Sequence, residues 1–111
     1  QNGMKLKFVS RTEYRNKNKI AEEYSDYFVI PEGGSNDLAV NGIKDIQLEI
    51  EPDFICSSFG TGGTIAGLIE NYENESKILV FSSLKIGANE VKAEISRFTT
   101  KNLENLHINV D

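Results

Sequence analysis

The chain has 111 residues, a formal net charge of −5 and a single cysteine. This length allows one small domain, and the negative charge argues against nucleic acid or an anionic membrane as a partner. One cysteine allows no internal disulfide, so the composition favours a reducing compartment. No apolar stretch approaches the length that a membrane-spanning helix needs.

Strands and helices are predicted to alternate along the chain. The first half is predicted to hold a strand over 4–10, a charged helix over 11–24, a strand over 27–30 and a helix over 37–51. The second half is predicted to hold a central strand from Asp53, a helix to about Tyr72, a strand over 77–83, a helix over 88–98 and a final strand from Leu106. This order predicts an α/β fold with a mainly parallel sheet and a three-layer, Rossmann-like architecture, in which ligands bind at the carboxyl ends of the strands.

The central strand leads into a glycine-rich turn and then into an amphipathic helix. Glycines allow positive φ and leave room for a close ligand, and successive N–H groups at a helix N-terminus attract an anion. Threonine hydroxyls can add further donors. The expected ligand is a phosphate monoester held without Lys or Arg, and the candidate binding residues are Gly60, Thr61, Gly62, Gly63 and Thr64.

Two common phosphate motifs do not fit the spacing of this loop. Ile65 stands where a dinucleotide fingerprint needs its third glycine, and Leu68 follows Gly67 where a Walker loop needs lysine. A tight strand-to-helix turn without a ligand remains the alternative interpretation.

Other candidate residues have structural explanations that the sequence favours. Ser35 or Asn36 can cap the helix after the Gly33-Gly34 turn, and Cys56 is expected to be a small core residue. Lys85 is just past the end of a strand and could form an imine, but a solvated loop residue is the favoured interpretation. His107 has no partner at ligand spacing, so no metal site is expected.

Two stretches resemble one family of enzymes. Residues 27–36, Tyr-Phe-Val-Ile-Pro-Glu-Gly-Gly-Ser-Asn, are similar to a signature of the 1-aminocyclopropane-1-carboxylate deaminase and D-cysteine desulfhydrase family. Residues 58–67, Ser-Phe-Gly-Thr-Gly-Gly-Thr-Ile-Ala-Gly, resemble the loop of that family that binds the phosphate of pyridoxal phosphate. The loop alone is shared by the wider tryptophan-synthase-β-like group, fold type II, and the pairing of the two stretches narrows the resemblance.

The resemblance implies a cytoplasmic, usually dimeric, pyridoxal-phosphate-dependent deaminase or desulfhydrase, a lyase that acts on a small amino acid. It implies that the loop residues 60–64 bind the phosphate of pyridoxal phosphate. It also implies that the strand and helix of residues 1–26 belong to the small domain of such an enzyme. Residues 27–111 would then form part of its large domain.

The sequence departs from the family pattern in three places. The family's Schiff-base lysine and its substrate-carboxylate loop have no counterpart upstream of residue 58, and its ring-facing tyrosines would follow Asp111. The chain therefore resembles a middle fragment, which is expected to be inactive alone and to self-associate through exposed apolar surface. The alternative is a non-catalytic α/β module that binds a small phosphorylated ligand, or no ligand.

Overall fold

A computed structural model of the chain describes residues 2–46, 49–71 and 76–110. The chain divides into two units, Gln1–Ile30 and Pro31–Asp111. No helix among the described residues is both long enough and apolar enough to cross a membrane.

The first unit contains two short helices, α1 (Arg11–Arg15) and α2 (Lys17–Glu22). A capping box begins α1, in which Glu13 N–H donates to Ser10 Oγ over 3.2 Å and Ser10 N–H donates to Glu13 Oε2 over 2.7 Å. The helix predicted over 11–24 is thus confirmed in outline, but it is interrupted at Asn16.

The two strands predicted in the first unit are wrong, because neither 4–10 nor 27–30 forms a strand. Their apolar side chains are largely exposed, and Phe8 reaches 90%. A strand gains its stability from ladder hydrogen bonds and packing across a sheet. Alternating apolar residues alone therefore do not produce one.

The second unit follows the predicted alternation more closely. A 3-10 turn (Glu32–Gly34) precedes α3 (Asp37–Gly42), and a further 3-10 turn (Ile43–Asp45) follows it. The remaining elements are β1 (Phe54–Phe59), α4 (Gly63–Asn71), β2 (Lys77–Ser82), α5 (Ala88–Ile95) and β3 (Leu106–Asn109). The α/β fold class is confirmed for the described residues.

The three strands form one parallel sheet in the order β1-β2-β3. Ile55 lies beside Ile78, and Ile78 lies beside Leu106, so the inward-facing residues of neighbouring strands are aligned. They pack with α4 and α5 around a core whose most deeply buried large side chains are Phe59, Ile65, Val80, Val91 and Ile95. Each such side chain stabilises the fold by about 1.5–3 kcal/mol.

The other face of the sheet is exposed. Phe54 of β1 is 54% exposed, and Phe81 of β2 is 48% exposed. Cys56 of β1, which lies between the levels of these two residues along the sheet, is also exposed. The expectation that Cys56 is a core residue is therefore wrong. Successive right-handed crossovers that move in one direction across a sheet place their helices on the same face, here the face of α4 and α5. The described residues of this unit thus form two layers.

Close packing of α3 against α4 brings the two glycine turns together. A Cβ atom placed on Gly67 would lie 3.1 Å from the carbonyl oxygen of Val40, so the glycine permits this approach. Asn71 Nδ2 donates to the Val40 carbonyl over 3.3 Å and to the Gly67 carbonyl over 2.5 Å.

The helix predicted over 37–51 is shorter than expected. It ends at Gly42, and the 3-10 turn ends at Asp45. Ile46 and Ile50, which the prediction placed on its apolar face, are half or more exposed. Residues 47 and 48 of the predicted helix, and Tyr72 at the end of the next predicted helix, lie outside the described residues.

Candidate anion-binding site

The glycine-rich turn connects the end of β1 to the beginning of α4. Gly62 is buried and has a φ of 90°, in the left-handed region that favours glycine. A Cβ atom there would make ordinary contacts, 3.4 Å from the Phe59 ring and 3.5 Å from Ile95. The backbone conformation, and not the available space, therefore requires glycine at this position.

The first turn of α4 presents unused backbone donors. The earliest helical hydrogen bond runs from Ala66 N–H to the Gly62 carbonyl over 2.9 Å. The amides of Gly63, Thr64 and Ile65 precede it, and they donate none of the hydrogen bonds found among residues 2–46, 49–71 and 76–110. Such amides carry the partial positive charge of a helix N-terminus, which is where proteins bind phosphate and carboxylate groups.

The turn before α3 contacts this loop directly. Ser35 Oγ lies 2.5 Å from Thr61 Oγ1, and either hydroxyl can be the donor. A Cβ atom placed on Gly63 would lie 2.6 Å from Ser35 Oγ and 3.2 Å from Ser35 Cα, so Ser35 occupies the space that this glycine leaves. The structure thus brings the Gly33-Gly34 turn into contact with the glycine-rich loop.

The beginning of α3 is fixed by Asn36. Its Oδ1 accepts from Ala39 N–H over 2.9 Å, as an N-cap residue does. Of the two caps that the sequence allows, Asn36 is therefore the cap, whereas Ser35 contacts Thr61. Residue 35 is polar in the sequence, but no sequence pattern indicates that it contacts Thr61.

The five predicted binding residues differ in exposure. Gly60 and Thr64 are exposed, Thr61 is half-buried, and Gly62 and Gly63 are buried. Solvent therefore reaches both ends of the loop, while its two central glycines pack against the protein.

The beginning of the loop is held by the segment after β2. Ser83 donates to the Phe59 carbonyl twice, from its N–H over 3.2 Å and from its Oγ over 2.8 Å. These two bonds fix the last residue of β1, from which the glycine-rich turn departs.

Lys85 and His107 are not brought to the loop by any polar contact that the structure gives. Lys85 is exposed in the segment after β2, and no hydrogen bond or ion pair among the described residues joins it to residues 60–64. His107 is exposed on the open face of the sheet, two strands from Cys56. Within the described part of the chain, no three His, Cys, Asp or Glu side chains are grouped closely enough to hold a metal ion.

Comparison with models of known protein families, with curated proteins and with solved structures found no match to this chain. The kind of ligand that the site can bind is therefore inferred from the residues of the site alone. The amides of Gly63, Thr64 and Ile65 and the hydroxyls of Thr61 and Thr64 belong to one helix N-terminus and the turn before it, and such a donor set suits a small anion that accepts hydrogen bonds through several oxygens.

Proposed function

We propose that residues 60–65 form the phosphate cradle of a pyridoxal-phosphate-dependent enzyme similar to 1-aminocyclopropane-1-carboxylate deaminase and D-cysteine desulfhydrase. The observation that supports this proposal is the meeting of the two glycine turns at the N-terminus of α4, through the contact of Ser35 with Thr61. These two turns are also the two stretches of sequence that carry the family resemblance.

The donor set is compatible with a phosphate monoester. Phosphate oxygens only accept hydrogen bonds at neutral pH, and the amides of Gly63, Thr64 and Ile65 can supply donors without a lysine or arginine. In the pair formed by Ser35 and Thr61, one hydroxyl donates and the other keeps its own proton for a third partner. Thr64 is exposed beside the same amides, so its hydroxyl can add a further donor.

The chain is proposed to hold and orient the cofactor, not to complete the reaction. Pyridoxal phosphate supplies an electron sink that stabilises a carbanion next to the amino group of a substrate. The lysine that the family uses to hold the cofactor has no counterpart here, so other segments would supply it together with the substrate contacts. In such an enzyme, further elements would cover the open face of the sheet and complete the three-layer, fold type II architecture.

A second candidate is a non-catalytic module for another small phosphorylated ligand. The absence of the family's lysine pattern from the sequence favours it. Both candidates use the same amides, and they differ in whether the pyridine ring contributes to binding.

A calorimetric titration with 4-deoxypyridoxine 5′-phosphate tests the proposal, because this analogue has no aldehyde to react with surface lysines. We expect it to bind, and we expect 4-deoxypyridoxine, which lacks the phosphate, to bind at least about tenfold more weakly because charge-assisted hydrogen bonds are lost. Thr64→Ala should weaken the phosphorylated analogue by about tenfold, whereas Thr100→Ala, an exposed control, should not change its affinity.

Three results would contradict the cofactor proposal. Equal affinity for the two analogues, or no binding of either, would remove the phosphate cradle. Binding of inorganic phosphate as tight as that of the phosphorylated analogue would favour the second candidate, since the ring would then contribute nothing.

A further inference from the structure

Strand β1 lies at an edge of the sheet. It pairs with β2 on one side, through bonds that include Lys77 N–H to the Asp53 carbonyl and Ser83 N–H to the Phe59 carbonyl. Backbone groups alternate in direction along a strand. Residues 55, 57 and 59 therefore bond to β2, whereas the N–H and C=O groups of Phe54, Cys56 and Ser58 point away from it.

Within the described part of the chain, strand β1 itself contains no residue of the kinds that prevent pairing with another chain. Natural edge strands are protected by lysine, proline, inward charges or bulges, and Phe54–Phe59 contains only uncharged residues and no proline. Among the described residues, the one polar contact on its outer groups is Ser57 Oγ to the Ser58 carbonyl at 3.4 Å, beyond the usual range.

We propose that β1 pairs antiparallel with β1 of a second copy of this chain, which joins two three-stranded sheets into one. The directions of the backbone groups restrict the register, because only Phe54, Cys56 and Ser58 offer outward bonds within the strand, and the register that uses all three is the one centred on Cys56. Cys56 pairs with Cys56 of the second copy on the two-fold axis, and Phe54 pairs with Ser58 of the second copy on either side. Each of these pairs exchanges two hydrogen bonds, about six in all.

The side chains agree with this register. All three outward residues lie on the open face of the sheet, so their pairs meet there and not in the core. No like charges stand opposite each other within the paired strands. Asp53 stands opposite Phe59 of the second copy, so its carboxylate does not face a like charge.

The register makes a covalent test possible. In a hydrogen-bonded antiparallel pair the two Cα atoms are about 5.5 Å apart, and the two Cβ atoms are at the wide end of about 4.5–5.5 Å. A direct disulfide needs Cβ atoms about 3.5–4.5 Å apart, so the test uses a reagent that adds one carbon atom between the two sulfur pairs. Methanediyl bismethanethiosulfonate should therefore link two chains through Cys56, because each thiolate forms a disulfide with one end of the reagent and releases one methanesulfinate. Ser58→Cys in a Cys56→Ser background should not link two chains, since residue 58 lies opposite Phe54 of the second copy. Adding Phe54→Cys to that variant should restore linkage.

Sedimentation equilibrium tests the noncovalent dimer. Cys56→Lys places two lysines opposite each other and should raise the dimer dissociation constant by about tenfold or more. Ser96→Lys adds the same charge at an exposed position beyond α5 and should leave it unchanged. Hydrogen exchange at the amides of Phe54, Cys56 and Ser58 should slow as the chain concentration rises.

Three results would overturn the proposal. They are a chain that stays monomeric at every concentration, a dimer that Cys56→Lys does not weaken, and equal linkage through Ser58→Cys alone. The proposal does not depend on phosphate binding, so its failure would leave the cofactor proposal untouched.

Discussion

Replacing Gly63 by alanine tests whether the two glycine turns interlock as the structure shows. The new Cβ atom would lie 2.6 Å from Ser35 Oγ, 3.0 Å from Ser35 Cβ and 3.2 Å from Ser35 Cα. The last of these is a backbone atom, so the turn before α3 has to move. Overpacking of this kind costs about 1–3 kcal/mol, and the better helix propensity of alanine offsets part of it. We expect a net loss of about 1–2 kcal/mol.

A double-mutant cycle measured by urea unfolding tests whether this loss of stability arises from the contact between Gly63 and Ser35. Ser35→Gly alone should cost about 1 kcal/mol through loss of the hydrogen bond with Thr61. The same change in the Gly63→Ala background removes the two nearest atoms, so the double variant should be more stable than the sum of the single effects predicts, by about 1 kcal/mol. Strictly additive effects would refute the contact between the two turns.

Three further predictions concern single positions. Gly62→Ala should destabilise the chain by about 1–2 kcal/mol in urea unfolding, because alanine is strained at a φ of 90°; no loss would contradict that conformation. Gly67→Ala should cost about 1–3 kcal/mol through overlap with Ile43, and it should cost less in an Ile43→Ala background, which lacks the overlapping Cγ1 atom. The hydrogen bond with the Ser10 side chain, followed by that with its backbone, lowers the pKa of Glu13. Because the folded pKa is the lower one, the capping box should persist above the ordinary pKa of glutamate and be lost as pH falls through the lowered value, which NMR titration of the Glu13 side chain measures.

The second unit was predictable from sequence where local and tertiary preferences agree. The strand, turn and helix around Gly62, the strand from Lys77 and the helix from Ala88 each combine the right periodicity with turn residues at their ends. They also neighbour each other in space, because consecutive right-handed crossovers bring them together.

The failed predictions of strands and of strand burial share one cause, which is that a strand pattern does not reveal its partners. Residues 4–10 alternate like a strand, yet no ladder forms there. Cys56 is in an apolar run typical of a strand buried on both faces, but both helices that follow β1 and β2 cover the same side. Periodicity gives the conformation that a segment prefers, and burial depends on what the rest of the chain covers.

The sequence predicts the glycine-rich loop of the candidate site. It does not predict that the turn before α3 contacts this loop. The glycine pattern of residues 60–64 predicts the turn between β1 and α4, which is confirmed, whereas anion binding there stays a prediction. The contact of Ser35 with Thr61 spans 26 positions of sequence and depends on the packing of α3 against α4 through Gly67. Such a contact becomes visible only once the helices are placed.

The most direct test of the phosphate cradle is a titration of the amide NMR signals of the chain with 4-deoxypyridoxine 5′-phosphate. We predict that the signals of Gly63, Thr64 and Ile65 shift most and saturate together, since their N–H groups would donate to the phosphate oxygens. The unphosphorylated analogue should leave them in place. Shifts confined to other segments, or equal shifts with both analogues, would contradict the assignment of this helix N-terminus as the binding site.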